Sequence, residues 1–458
     1  MSPRRPAPFR LTAWLALLAF ALLPQAAFAQ SILRDAETEA LLRDMSDPLV
    51  SAAGLQPGQT EFLIVNDSSI NAFVAGGQRI YIHSGLFEAA DDAGQVQGVI
   101  AHELGHIAGG HVIRFDEATR PATGITIASL LLGALAVAAG GGEAGMGIIA
   151  AGQQAAMSNF LSYTRAQESV ADASGARYLS AAGISGKGSI DFFKKLQNFE
   201  YRLGIPQDNS FGRTHPLTGE RIATLEDSYR VDPAWDRPTP APLQARFARV
   251  RAKLVGYIAK PEATLRDYPP GDTSVPARYA RAYAYHKQAH VDQALGEVRA
   301  LLAESPNDPY YLELYGQILL ESGRPNEAIE PLRTATRLTG NQPLIAGLFG
   351  HALIESGRPE LFDEAERVLR AAVARDNQNP FAWYQLGVIY DRKGDGARAS
   401  LANAERQLMT GEPRLALIGA QRAMAGLPQD SPDWIRAQDI KLVAERRAAD
   451  ERRGRRGS

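Results

Sequence analysis

The stretch "GVIAHELGHIAGGHVIR", Gly98 to Arg114, decides how the N-terminal half of this chain is read. An α-helix turns about 100° per residue, so residues four apart share a face. His102 and His106 can therefore point at one metal ion, and Glu103 lies beside that face, where it can accept a proton from a water. The H-E-x-x-H spacing predicts metal-assisted hydrolysis of a peptide bond. The competing reading is an ordinary half-buried helix with surface histidines, so the rest of the chain has to decide.

A catalytic site of this kind needs a third protein ligand. His111 lies nine residues after His102, about 180° around a continued helix, and cannot reach the same metal. A third histidine at metzincin spacing would fall on Val112; Gly109 matches that pattern and the ligand position does not. The segment "YTRAQESVADASGARYL", Tyr163 to Leu179, offers a better candidate. Glu168 and Asp172 are four apart on one helix face, so Glu168 can bind metal while Asp172 holds a ligand histidine by a hydrogen bond. A charged solvated face, with Arg165 and Arg177, is the alternative.

The N-terminus reads as an export signal over residues 1–29. Arg4, Arg5 and Arg10 make a basic start, Leu11 to Leu23 an apolar run, and "AFA", Ala27 to Ala29, a small-x-small cleavage site. The apolar run is shorter than the roughly 20 residues a span requires. The chain contains no cysteine, so neither disulfides nor thiolate ligands are available, and a zinc site must use histidine and carboxylate. A formal charge of −2, more negative once the signal arginines are removed, carries no nucleic-acid signal.

Residues 30–236 mix strand and helix signals and are expected to form one domain. In "NAFVAGGQRIYIHSGLF", Asn71 to Phe87, Gly76-Gly77 marks a turn, and Ile80 and Ile82 alternate with Arg79 and Tyr81. Asn71 to Ala75 is expected to be an edge strand to which an extended substrate adds. "ITIASLLLGALAVAAGGGEAGMGIIAAG", Ile125 to Gly152, is interrupted by Gly140 to Gly142. It reads as a helical hairpin covering the site or leaning on a membrane surface, and not as a span. The proline-rich "VDPAWDRPTPAPLQ", Val231 to Gln244, is taken as a boundary, with a linker over 237–273.

An internal repeat occupies 274–447. Gly316 and Gly350 are 34 apart, the tetratricopeptide period. Ala328 and Ala335 fall where packed helix pairs need small side chains. Three extra residues in the next copy bring Ala365 and Ala372 into step. Trp383 and Gly387 open a further copy, and Tyr285, Ala294 and Pro306 mark an earlier, weaker one. Such arrays leave a concave groove that binds proteins. Residues 448–458 read as a basic disordered tail. The expected fold is an α+β zincin-like metallopeptidase domain, helices plus a small sheet, followed by an all-α tetratricopeptide-repeat solenoid.

Taken in order, "NAFVAGGQRIYIHSGLF", "HELGH", "RAQESVADASG" and "THPLTGER" resemble the HtpX/CAAX-prenyl-protease family of gluzincin metallopeptidases. With an export signal and C-terminal repeats, the chain is similar to the periplasmic protease-chaperone branch of that family. The resemblance implies one zinc ion held by His102, His106 and Glu168, with Glu103 as catalytic base. It also singles out His215 and Arg221. His215 would either take the fourth zinc position in a latent state or act with Arg221 on the oxyanion. Implied partners are misfolded or stalled envelope proteins and, through the repeats, the outer-membrane assembly machinery, with peripheral membrane contact and no nucleic acid. The rival expectation is a repeat-based chaperone or scaffold whose zinc site is latent. A zinc-stabilised structural domain is disfavoured, because such sites usually use cysteine-rich sets.

Overall fold

The computed structural model describes residues 32–111, 123–133, 142–202, 215 and 219–457. The expected export signal therefore lies outside the described residues, as do the tip of the apolar hairpin and the sequence around His215. The N-terminal region opens with β1 (Ile32–Leu33) and helix α1 (Ala36–Ala52). Asp35 starts α1 by accepting from the Thr38 amide, which satisfies one of the free first-turn donors. Leu41, Leu42, Met45 and Leu49 recur at helical spacing and are all fully buried.

Three more strands follow: β2 (Glu61–Val65), β3 (Ala72–Ala75) and β4 (Arg79–His83). The sheet order is β1-β2-β4-β3, with β2 and β4 parallel and the other pairs antiparallel. Gly76 and Gly77 both take positive φ, 63° and 97°, which closes the β3–β4 turn at no steric cost. Alternation works as expected: Ile80 and Ile82 are fully buried, while Tyr81 on the opposite face stacks on Phe73 at 5.0 Å. β3 is an edge strand, paired with β4 on one side.

After the short α2 (Ser84–Ala89) comes α3 (Ala93–Ala108), the H-E-x-x-H helix. Asp92 caps it through the Gln95 amide, and every residue from Ala93 to His106 is buried. A helix buried on all sides must be packed from several directions. It meets β3, α1, α4 (Gly142–Ala182) and α5 (Lys187–Arg202). Helix α6 (Gly219–Arg230) closes the outer side of α4 and α5.

Glycines set how close these helices come. A β-carbon on Gly105 would lie 2.6 Å from the Ala171 carbonyl oxygen, and one on Gly175 would lie 3.1 Å from the carbonyl carbon of Ala101. The α3 and α4 backbones thus touch directly at both points, and that contact carries Glu168 and Asp172 to the histidines. Gly98 and Gly188 play the same part between α3 and α5, each facing backbone atoms at 2.7 Å or less.

The segment expected as a linker over 237–273 is instead helical. Helix α7 (Ala241–Ile258) is followed by another over Pro261–Asp267. Phe247, Val250 and Leu254 of α7 are buried in the N-terminal core, with Phe247 stacked on Phe87 at 6.0 Å. Pro242 and Pro261 sit in the first turns of these two helices, where a missing amide proton costs nothing.

Five helix pairs complete the chain. Their first helices are Val275–Lys287, Pro309–Glu321, Pro343–Glu355, Pro380–Arg392 and Pro413–Gly426, and the last pair ends with Pro432–Gly457. Ala328, Ala335, Ala365 and Ala372 are all fully buried between packed helices. A β-carbon on Gly316 would strike the Leu332 side chain, and one on Gly350 the Leu369 side chain, each at 2.5 Å. The three residues that shift the second copy are a single 3₁₀ turn, Pro359–Leu361. The last helix runs through Gly457, so the expected disordered tail over 448–458 is helical up to that residue.

The two regions meet through buried charge. Lys253 of α7 reaches Asp35 at 2.5 Å and Glu37 at 3.3 Å. Tyr279 of the first repeat helix donates to Glu37 at 2.8 Å, and Arg249 bridges Glu37 to Asp308. Among the described residues no helix is long and apolar enough to cross a membrane.

Candidate metal centre

Helix α3 presents His102 and His106 one turn apart on the face that meets α4. Helix α4 presents Glu168 and Asp172 on the face that meets α3. His215 enters from the segment ahead of α6. The ligand atoms of His102, His106, Glu168 and His215 all lie within 4.8 Å of one another. His102 Nε2 is 3.1 Å from His106 Nε2 and 3.1 Å from His215 Nδ1. Glu168 approaches His102 and His106 at 3.3 Å each, and His215 at 3.0 Å.

Three ring nitrogens and a carboxylate oxygen thus aim at one point. A neutral imidazole offers one lone pair and one N–H, so crowded rings cannot satisfy each other by hydrogen bonds alone. The site is also shielded from water: His102 is 5% exposed, His106 8% and Glu168 3%. One carboxylate oxygen of Glu103 is buried without a hydrogen-bond partner. A divalent cation suits all of these groups at once. Nitrogen and carboxylate donors without thiolate fit a catalytic metal site that keeps a position open.

The surrounding groups fix the ligands. Asp172 meets His102 Nδ1 at 2.9 Å, which leaves the Nε2 lone pair facing the centre. Arg221 spans both carboxylates, at 2.9 Å from Glu168 and 2.8 Å from Asp172, and its guanidinium lies over the Phe193 ring. Burial alone would raise Glu168. The neighbouring His215 and His102 outweigh it and hold the carboxyl well below its usual range. Burial opposes the charged form of Asp172 as well, and Arg221 and His102 lower it again. For His102 burial acts downward, and Glu168 with Asp172 pushes the ring up to about 10.

All seven residues singled out in the sequence gather here. His102, His106, Glu168 and His215 supply donor atoms. Asp172 and Arg221 stand behind them. Glu103 lies 3.3 Å from His215 Nε2. Sequence reading gave no part to His111, whose ring Nδ1 lies 2.8 Å from His106 Nδ1. Its place depends on where α3 ends, which a helical projection does not include. Val112, excluded from the ligand set, lies outside the described residues.

Comparison with known proteins agrees with this arrangement. Residues 35–228 match peptidase family M48, and residues 279–343 and 348–408 match a tetratricopeptide-repeat family. The chain is 27% identical over 297 residues to the beta-barrel assembly-enhancing protease of Escherichia coli K12, covering 63% of this chain and 60% of that one. It is 25% identical over 301 residues to the protein of the same name from Yersinia pestis, covering 64% and 60%. It is 30% identical over 169 residues to the metalloprotease LoiP of Escherichia coli K12, covering 36% and 60%. The chain thus spans about 60% of the length of the curated relatives it matches. With donor atoms from α3 and α4 converging as they do, the chain carries a peptidase family M48 domain, joined on its C-terminal side to tetratricopeptide repeats.

Proposed function

We propose that this protein is a zinc-dependent metalloendopeptidase of the periplasm, with chaperone-like activity in quality control and assembly of outer-membrane proteins. The observation that carries the proposal is the convergence of His102, His106, Glu168 and His215 beside the buried, unpaired oxygen of Glu103. His102, His106 and Glu168 would hold the zinc ion, which would supply Lewis acidity and a water of lowered pKa. Glu103 accepts the proton of the attacking water and passes it to the leaving amine. Asp172 keeps His102 in its ligating tautomer, and Arg221 balances the two buried carboxylates. An extended substrate pairs with the free edge of β3, so affinity comes from backbone hydrogen bonds more than from side chains. The repeats dock client proteins or an assembly partner. The export signal at 1–29 supports the compartment, and the names of the M48 relatives support the role in β-barrel assembly.

A second reading, a repeat-based chaperone or scaffold with a latent zinc site, has its own observation. His215 stands among the donors and 3.3 Å from Glu103, where it competes for the place of the attacking water. One set of measurements separates the readings: zinc content and casein cleavage for wild type, Glu103→Gln and His215→Ala. The protease reading expects about one zinc per chain. It also expects Glu103→Gln to keep the zinc and lose cleavage by roughly 10²–10⁴-fold. Wild-type cleavage by Glu103→Gln would sink it. Latency expects His215→Ala to cleave faster than wild type at equal zinc; a large drop assigns His215 to the oxyanion instead.

Peripheral membrane contact belongs to the same proposal. Ile127, Leu131 and Met146 are 53–62% exposed on the apolar helical segments of residues 123–133 and 142–182. Sedimentation with lipid vesicles should fall for Leu131→Glu, and no vesicle binding by wild type would remove this part.

A further inference from the structure

Helix α3 ends two residues after the second candidate ligand, and the way it ends is specific. Ala108 is its last residue. Gly109 keeps a helical backbone, with φ −71°, and Gly110 turns left-handed at φ +65°. That turn brings the chain back over the final helical turn, so the His111 amide donates to the His106 carbonyl at 3.1 Å. The His111 ring then lies flat enough against the helix end that a β-carbon on Gly109 would meet its Nε2 at 2.4 Å and its Cδ2 at 2.8 Å. In that place its Nδ1 is 2.8 Å from His106 Nδ1, and the two rings stand edge to face at 4.9 Å.

We infer that Gly109-Gly110-His111 is a positioning device for the metal ligand His106. The inference rests on the metal site proposed above. His106 faces the centre with Nε2, so its Nδ1 must carry the proton. The proton on Nδ1 needs an acceptor, and the lone pair of His111 Nδ1 supplies it. Each residue has a separate part: Gly110 reverses the chain, Gly109 leaves room for the ring, and His111 fixes the tautomer and tilt of His106. Asp172 does the same for His102, so both ligand histidines on α3 are oriented from behind, one by a carboxylate and one by an imidazole.

Gly109 makes the inference testable without touching either histidine. Its φ is ordinary for any residue, so Gly109→Ala strains no backbone, and its β-carbon meets only the movable end of a side chain. The fold survives while the His111 ring is pushed off His106. The measurement is the dissociation constant for Zn²⁺ alone, by chelator competition on the full mature chain, with unfolding temperature as a control. Gly109→Ala and His111→Leu should each weaken zinc binding about 10–100-fold at unchanged unfolding temperature of the metal-free protein. The double variant should be no weaker than His111→Leu, because both remove one interaction. His111→Asn places an oxygen where Nδ1 stood and should restore most of the affinity. Wild-type affinity in Gly109→Ala or His111→Leu, additive losses in the double variant, or an Asn variant as weak as Leu would each overturn the inference. If the wild-type chain itself binds no zinc, the metal-site reading fails instead.

Discussion

Glycine does different work in the two halves of this molecule. In the peptidase region Gly98, Gly105, Gly175 and Gly188 face backbone atoms of a neighbouring helix. In the repeats Gly316 and Gly350 face leucine side chains. The gaps are nearly equal, 2.6 Å at Gly105 and 2.5 Å at Gly316, and the obstacles differ. A leucine can change rotamer, whereas a peptide group in the middle of a helix moves only with its helix. The peptidase helices are therefore held at a spacing that positions ligands, and the repeat helices at a spacing that fills volume.

The seam between the halves gives the largest expected effect. Lys253 is 4% exposed and serves two carboxylates, Asp35 and Glu37. Lys253→Met leaves Asp35 without its cation and Glu37 with Arg249 alone, and should cost about 3–5 kcal/mol. Calorimetry should then resolve two transitions, one for each half, which would expose their separate stabilities. A single transition at the wild-type temperature would show that the seam does not couple them.

Next comes the direct test of the glycines. Gly105→Ala drives a methyl group into the α4 backbone and should cost about 3 kcal/mol, at the upper end of overpacking. It should also lower the affinity for added Zn²⁺, because α4 carries Glu168. Gly316→Ala should cost only about 1 kcal/mol, since Leu332 can yield and alanine favours the helix. Equal losses, measured by denaturant unfolding, would break the comparison.

The last expected effect, on pH dependence, belongs to Glu313, on a repeat helix facing the seam. Burial, with only partial relief from Lys253, pushes its carboxyl from 4.5 up to about 8. Between those values the unfolded chain has released a proton that the folded chain keeps. The unfolded state binds fewer protons there, so stability falls as pH rises through the window. Glu313→Gln should flatten that part of the profile of unfolding temperature against pH. A profile unchanged by the substitution would mean that the group is not held neutral.

How much of this was legible beforehand depends on how local each signal is. His102, Glu103 and His106 follow from spacing within one helix, and Glu168 with Asp172 from spacing within another. The repeats are visible because 34-residue periodicity recurs, even across the inserted turn at Pro359–Leu361. Gly105 and Gly175 were silent: a glycine inside a helical pattern reads as a weakness, and only the partner backbone shows what it permits. The helix at Ala241–Ile258 was hidden by prolines, which mark a helix start as readily as a break. The place of His111 beside His106 was hidden, because one left-handed residue at Gly110 undoes the helical projection. The fifth helix pair, Pro413–Gly426 with Pro432–Gly457, gave little signal because alanines supply most of its buried contacts.

Under the proposed function, the edge position of β3 has a consequence for which proteins would be cleaved. A strand that accepts its substrate by backbone pairing can only take a segment whose own amides and carbonyls are free. In a finished β-barrel every strand is already paired on both sides, so nothing is on offer. Cleavage would then be timed by how often a stretch of client opens, and its rate would report the local opening free energy more than any sequence preference. On that basis a slow assembler would be exposed for longer than a fast one, and the four residues Ala72–Ala75 would act as a clock on folding.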